Sequence, residues 1–201
     1  MKTAIATFVR VPVLGKVKTR LANKTSDEFA LVAYQALLKH TFEVLKKVEN
    51  VEVFIFVTPY YLSDVPFNQM IQKGEDLGEK LFFAGTDLFD LSFDSVVFIG
   101  SDCPSLDEHH INDAISKLSN NDVVIGPATD GGYYLLGMKK MYPFLFENMP
   151  WSTEYLLEET LKKTQNHQLK TSQLTPLSDV DEWEDLEPFL DQLKLSPFIS
   201  K

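Results

Sequence analysis

Four short apolar runs, Thr3–Val9, Val51–Thr58, Ser95–Gly100 and Val123–Gly126, recur along the chain with longer segments between them. Runs of this length, rich in β-branched and aromatic residues, form strands covered on both faces. Between the first two, Phe29, Val32, Ala33, Ala36, Leu37, His40, Val44 and Val48 recur at three- and four-residue steps, which predicts one long helix over Ser26–Val48. Thr25 followed by Glu28 has the capping-box form that opens such a helix. Asp76–Leu91 and Asp107–Leu118 read as further helices, each ahead of a strand. Strands alternating with helices imply a mostly parallel, helix-covered sheet. After the Asp130-Gly131-Gly132 turn, Tyr133–Met138 reads as a fifth strand, Ser152–Thr164 as a helix, Leu169–Leu174 as a weak strand and Glu182–Leu193 as a last helix. Pro59–Gly74 is the least regular stretch and reads as a mobile loop.

A length of 201 residues fits one domain, and 44% hydrophobic content excludes disorder. The net charge of −10 argues against a nucleic-acid surface, which needs clustered Lys and Arg. A polyanion must therefore be met locally. Cys103 is the only cysteine, so neither an internal disulfide nor a cysteine-based zinc site is available, and a reducing cytoplasm is expected. The start of the chain lacks the pattern of a signal peptide, and no stretch reaches the length of a membrane span.

In open α/β sheets ligands bind beyond the carboxyl ends of the strands. After the first strand, Arg10, Lys16, Lys18 and Arg20 place four of the nineteen basic residues within one short loop. Gly15 lets a backbone approach phosphate there, and the cations neutralise its charge. A solvated charge cluster is the alternative reading of the same residues. A Walker loop is excluded, since Gly15-Lys16 is followed by Val17. After the third strand, Ser101-Asp102-Cys103-Pro104 sets a carboxylate at a strand tip, suited either to Mg²⁺ or Mn²⁺ or to the N–H groups of a turn. Cys103 reads as a small apolar residue rather than a nucleophile. After the fourth, Asp130 with Gly131 and Gly132 offers an acceptor for a hydroxyl or forms a hairpin-like turn. Asp181 with Glu184 fits a capping box, so an N-cap and a metal ligand compete for the Asp181 oxygens.

Several blocks in order then resemble a known family: Arg10-x-Pro12-x-x-Gly15-Lys16-x-Lys18-Thr19-Arg20-Leu21, Gly74-x-Asp76-Leu77-Gly78-Glu79, Gly100-Ser101-Asp102-Cys103-Pro104, Gly126-Pro127-Ala128-x-Asp130-Gly131-Gly132-Tyr133-Tyr134, Trp151-Ser152-Thr153 and Asp179-Val180-Asp181-x-x-Glu184-Asp185-Leu186. Together they are similar to the bacterial glycosyltransferase-like family related to the cofactor guanylyltransferases, within the nucleotide-diphospho-sugar transferase superfamily. Lys18-Thr19-Arg20-Leu21 also resembles the phospholactate guanylyltransferases. The resemblance implies a single domain with the three-layer α-β-α GT-A fold and a mixed, mainly parallel sheet. It also implies a nucleotide over the first strand's loop and Mg²⁺ or Mn²⁺ held by Asp102 and Asp181.

The expected activity is a metal-dependent transfer from a nucleotide sugar or nucleoside triphosphate to an unknown small-molecule acceptor. Arg10, Gly15, Lys16, Lys18, Arg20 and Ser101 would bind nucleotide, and Lys18, Arg20, Asp102 and Asp130 would be catalytic. Asp130, Gly131 and Gly132 would line the acceptor side. Glycosyl transfer is slightly favoured, with nucleotidyl transfer releasing pyrophosphate as the alternative and a non-catalytic nucleotide-binding domain as the rival.

Overall fold

The structure, a computed structural model, describes residues 1–198. Seven strands form one sheet: β1 (Thr3–Arg10), β2 (Val51–Thr58), β3 (Asn68–Ile71), β4 (Ser95–Ile99), β5 (Val123–Pro127), β6 (Tyr133–Met138) and β7 (Thr171–Gln173). The helices are α1 (Thr19–Lys24), α2 (Asp27–Leu45), α3 (Leu77–Asp90), α4 (Glu108–Leu118), α5 (Leu156–Asn166) and α6 (Trp183–Leu186). The strand order is β3-β2-β1-β4-β6-β5-β7, parallel except that β6 runs antiparallel to both β4 and β5. The sheet is mostly parallel and helix-covered, as the alternation of strands and helices implied, and mixed, as the family resemblance implied.

Alternation within β1 explains the layers. Ile5 and Val9 join Leu38 and Leu45 of α2 with Ile111 and Leu118 of α4 on one face. Ala4 and Ala6 face the other way, against Leu81 and Leu88 of α3 and the rings of Phe54, Phe56 and Phe98. A third cluster joins Leu21 of α1 and Leu37 of α2 to Val180 and Leu186 of the C-terminal segment. Leu21 and Val180 are both fully buried, so this contact fixes the last segment beside the loop after β1.

Several boundaries differ from the sequence reading for local reasons. The cap of α2 is Ser26, whose hydroxyl accepts from the Phe29 N–H at 3.1 Å, whereas the Thr25 hydroxyl turns back to the Leu21 carbonyl. Thr25 is engaged in closing α1, a short helix that the basic composition of Thr19–Lys24 made look like loop. The presumed loop Pro59–Gly74 contains the edge strand β3, whose polar Asn68 and Gln69 concealed it. In the expected helix Glu182–Leu193, α6 ends at Leu186 and a 3-10 turn over Glu187–Phe189 follows, with Pro188 as its second residue. The helix expected over Ser152–Thr164 starts only at Leu156.

Candidate active site

The order of the strands reverses at β1, which lies between β2 and β4, so a crevice opens beyond their carboxyl ends. The chain leaving β1 is held there by Tyr34 of α2, whose hydroxyl donates to the Arg10 carbonyl at 3.0 Å and accepts from the Arg10 N–H at 3.1 Å. Burial pushes the Tyr34 phenol up to about 12, so it stays neutral in that role. Gly15 turns the loop with φ of 69°, close against Asp27. Lys18 then enters α1 in the left-handed region, with φ of 45°. Its side chain crosses the crevice.

The Lys18 ammonium donates to Asp102 Oδ2 at 2.7 Å, to Asp181 Oδ1 at 3.2 Å and to the Val180 carbonyl. Arg20 donates to the other oxygen of Asp181 at 3.0 Å. Residues from β1's loop, β4's tip and the C-terminal segment thus meet on the ammonium of a lysine whose side chain is 9% exposed. Burial alone pulls the Lys18 pKa down, but the charges and hydrogen bonds of Asp102 and Asp181 outweigh it and leave the pKa raised. Lys18 is a fixed cation.

Asp179, which sequence reasoning did not single out, is the unexpected member. Its Oδ1 is buried without a hydrogen-bond partner, and its pKa is raised to about 7 by burial and then by the charges of Asp102, Asp130 and Asp181. The only sequence signal was its place in Asp179-Val180-Asp181, next to Val180, which the fold buries completely.

Arg10, Lys16, Lys18, Arg20, Ser101, Asp102 and Asp181 all line a cleft of about 640 Å³. Ser101 also ties β4 to β1 by donating to the Phe8 carbonyl at 3.2 Å. Gly15 shapes the loop from outside that lining. Asp130, Gly131 and Gly132 likewise lie off it: Asp130 Oδ1 accepts from the Gly132 N–H at 2.8 Å and closes the turn between β5 and β6. The Gly131 backbone lies so close to Glu154 that a Cβ would stand 2.1 Å from its carbonyl oxygen. Asp181 does not cap α6. Glu182 does, in a reciprocal box with Asp185, which leaves the Asp181 carboxylate to the two cations. Cys103 is 2% exposed and its thiol is pushed up to about 12 by burial, so it remains protonated.

The donor chemistry here suits a hard divalent ion, because Asp102, Asp179 and Asp181 offer only oxygen and Asp179 holds an acceptor that nothing satisfies. Among the described residues no three acidic or histidine side chains converge as they stand. The Lys18 ammonium lies between Asp102 and Asp181 instead.

The fold is that of the nucleotide-diphospho-sugar transferases. A protein from Desulfovibrio desulfuricans G20, solved under that provisional designation, superimposes with a TM-score of 0.87 at 31% identity, covering 98% of this chain and 90% of its own. The chain belongs to the family described as "Uncharacterized protein conserved in bacteria (DUF2064)", whose model matches residues 41–153. It is also 30% identical over 179 residues to the 2-phospho-L-lactate guanylyltransferase of Methanopyrus kandleri, a match spanning 86% of this chain and 84% of the relative. At the level of fold alone, CMP:2-keto-3-deoxy-manno-octonic acid synthetase complexed with CTP superimposes with a TM-score of 0.63 at 12% identity, covering 98% of this chain and 100% of its own. Among the described residues no helix is long and apolar enough to cross a membrane.

Proposed function

We propose that the chain is a nucleotidyltransferase acting as one domain in the cytoplasm: an acceptor oxygen bonds to the α-phosphorus of a nucleoside triphosphate, the bond from that phosphorus to its bridging oxygen breaks, and pyrophosphate leaves. The observation that carries this reading is the buried Lys18 ammonium bridging Asp102 and Asp181 beside the unpartnered Asp179, at the crevice where the strand order reverses. The balance moves from glycosyl to nucleotidyl transfer because a relative similar over most of both chains carries the guanylyltransferase name. That relative's acceptor, a phosphorylated hydroxy acid by its name, supports the same class of acceptor here.

Mg²⁺ or Mn²⁺ held by Asp102, Asp179 and Asp181 would offset the negative charge of the triphosphate. The chain's own residues do the remainder. Lys18 supplies a fixed positive charge against the phosphates, preorganised because its nitrogen is already held by three oxygens. Arg20 and Lys16 extend that charge along the cleft toward the leaving pyrophosphate. The tie from Ser101 to Phe8 keeps the Asp102 tip in register with the phosphate loop.

The test supplies each of the four nucleoside triphosphates with Mn²⁺ or Mg²⁺ and 2-phospho-L-lactate or a pooled metabolite extract, and measures pyrophosphate. Release that needs both ion and acceptor, and is lost in Lys18→Ala, is the expected result. Nucleoside diphosphate formed from nucleotide sugars without any pyrophosphate would replace this reading by glycosyl transfer. Binding without turnover of any donor would leave a nucleotide-binding domain.

A further inference from the structure

We propose that the floor of the cleft accepts hydrogen bonds and donates none, so that it holds the nucleoside rather than the phosphates, and that Gln72 is the residue that accepts from the nucleoside. The proposal rests on the nucleotidyl-transfer reading and adds the direction in which the donor lies. Gln72 follows β3 and lines the cleft, yet nothing in the phosphate chemistry uses it.

β1 outruns one of its neighbours. Its pairing with β2 continues to Arg10 opposite Thr58, but its pairing with β4 stops at Thr7 opposite Ile99. From there the chain of β4 turns toward β6, and the Gly100 N–H donates to the Tyr134 carbonyl at 2.8 Å. The last carbonyls of β1 are met by side chains from three separate segments. Ser101 Oγ donates to the Phe8 carbonyl at 3.2 Å, Gln72 Nε2 to the Val9 carbonyl at 3.1 Å and the Tyr34 hydroxyl to the Arg10 carbonyl at 3.0 Å. Each of these side chains lines the cleft.

A hydroxyl has one proton to donate and a primary amide two. The second amide proton of Gln72 goes to the Phe56 carbonyl at 2.9 Å, and a flipped amide would set its oxygen against two carbonyl oxygens. The side chain therefore has one orientation. Ser101, Tyr34 and Gln72 thus spend every side-chain proton on backbone carbonyls and turn only lone pairs to the cleft. Gln72 Oε1 accepts from no partner among the described residues, which leaves it open to a ligand. Ionised phosphate oxygens have no proton to give and are repelled by such atoms, whereas sugar hydroxyls and base N–H groups supply what the floor lacks. The opposite polarity lies along Lys16, Lys18 and Arg20. An accepting floor beside a cationic wall sets the direction of the donor, with the triphosphate along the loop and the nucleoside across the end of β1.

Equilibrium binding tests this with Mn²⁺ present, comparing the tightest-binding of the four nucleoside triphosphates with inorganic tripolyphosphate, which has the phosphates and no nucleoside. Wild-type protein is expected to prefer the nucleotide by about tenfold or more, and Gln72→Met to shrink that preference by about tenfold, the worth of one lost hydrogen bond, while tripolyphosphate affinity stays unchanged. Tripolyphosphate bound as tightly as every nucleotide by the wild type overturns the proposal, whatever the variant does. So does a preference that survives Gln72→Met, or an equal loss for both ligands, which would make the glutamine a brace and nothing more. The 2′-deoxy and 3′-deoxy nucleotides locate the bonded proton: an analogue weakened in wild type but not further in Gln72→Met puts it on the sugar, and equal effects in the two proteins put it on the base. If the binding pattern holds and no donor yields pyrophosphate, nucleotidyl transfer fails and the accepting floor stands.

Discussion

The backbone N–H of Val180 donates to the carbonyl of Asp102 at 2.9 Å. Through this bond the C-terminal segment rests on the tip of β4, and the two carboxylates flanking Val180 are brought to the side of the crevice that Lys18 enters. Burial of Val180 against Leu21 holds the same segment from beneath. The acidic face is thus built by the hydrophobic core as much as by ion pairing, and removing the lysine should leave the carboxylates in place but uncompensated.

Lys18→Met keeps most of the side-chain volume and deletes the charge. Breaking a buried pair by removing one partner is costly, and with Asp102 at 30% side-chain exposure a loss of about 2–3 kcal/mol is expected. Added Mn²⁺ should raise the melting temperature of the variant more than that of the wild type, since the ion takes over the missing positive charge. Equal shifts in the two proteins, read by thermal melts with and without chelator, would count against Asp102 and Asp181 as an ion site.

Asp179→Asn should separate stability from activity. The folded pKa of about 7 lies above the ordinary 3.8, so between those values the folded protein holds a proton that the unfolded chain has released. Wild-type stability attributable to this group therefore falls as pH rises from about 4 to 7 and stays low above. In chelator above pH 7 the variant should be more stable by on the order of 1–3 kcal/mol, with the difference shrinking toward pH 4, while metal-dependent pyrophosphate release is lost. A pH-independent difference in urea unfolding would contradict the buried, unpartnered carboxylate.

Gly131→Ala should damage the turn that carries Asp130. The residue has φ of 91° and a Cβ would sit 2.1 Å from the Glu154 carbonyl oxygen, so backbone must move on one side or the other. A loss of about 2–4 kcal/mol is expected from the combined clash and strain. Unchanged denaturant midpoints would show that the contact between this turn and the segment before α5 is looser than described.

Cys103 should be chemically silent. A thiol pushed up to about 12 and almost wholly buried gives little thiolate at pH 8. Iodoacetamide should leave the native protein unlabelled, as followed by intact mass, and Cys103→Ser should retain pyrophosphate release. Rapid native labelling would show that the segment after β4 opens.

Much of this architecture was legible in the sequence where one force dominated. Val51–Thr58 and Tyr133–Met138 coincide with β2 and β6 because a strand buried on both faces has almost no freedom in composition. The edge strand β3 needs no such composition, and α1 is too short for a period to register. That β6 enters the sheet antiparallel between β4 and β5 depends on the tertiary route of the turn, which apolar content does not encode. Within the site, Lys18, Arg20, Asp102 and Asp181 stood out by type and position and do converge. Asp179 did not, since carboxylates crowd the 179–187 stretch and only the packing of Val180 tells which are drawn inward.

The span between Lys18 and Asp181, 163 positions of chain, also bears on the birth of the protein. On the ribosome the N-terminal part emerges first, and β1, α1 and α2 become available to fold long before the segment carrying Asp179 and Asp181 has been synthesised. Until that segment docks on Leu21, the nascent chain holds the Lys18 ammonium without its second carboxylate. Completion of the crevice therefore waits on the segment after β7, and a chain stopped before it carries a nearly whole sheet but an unfinished site.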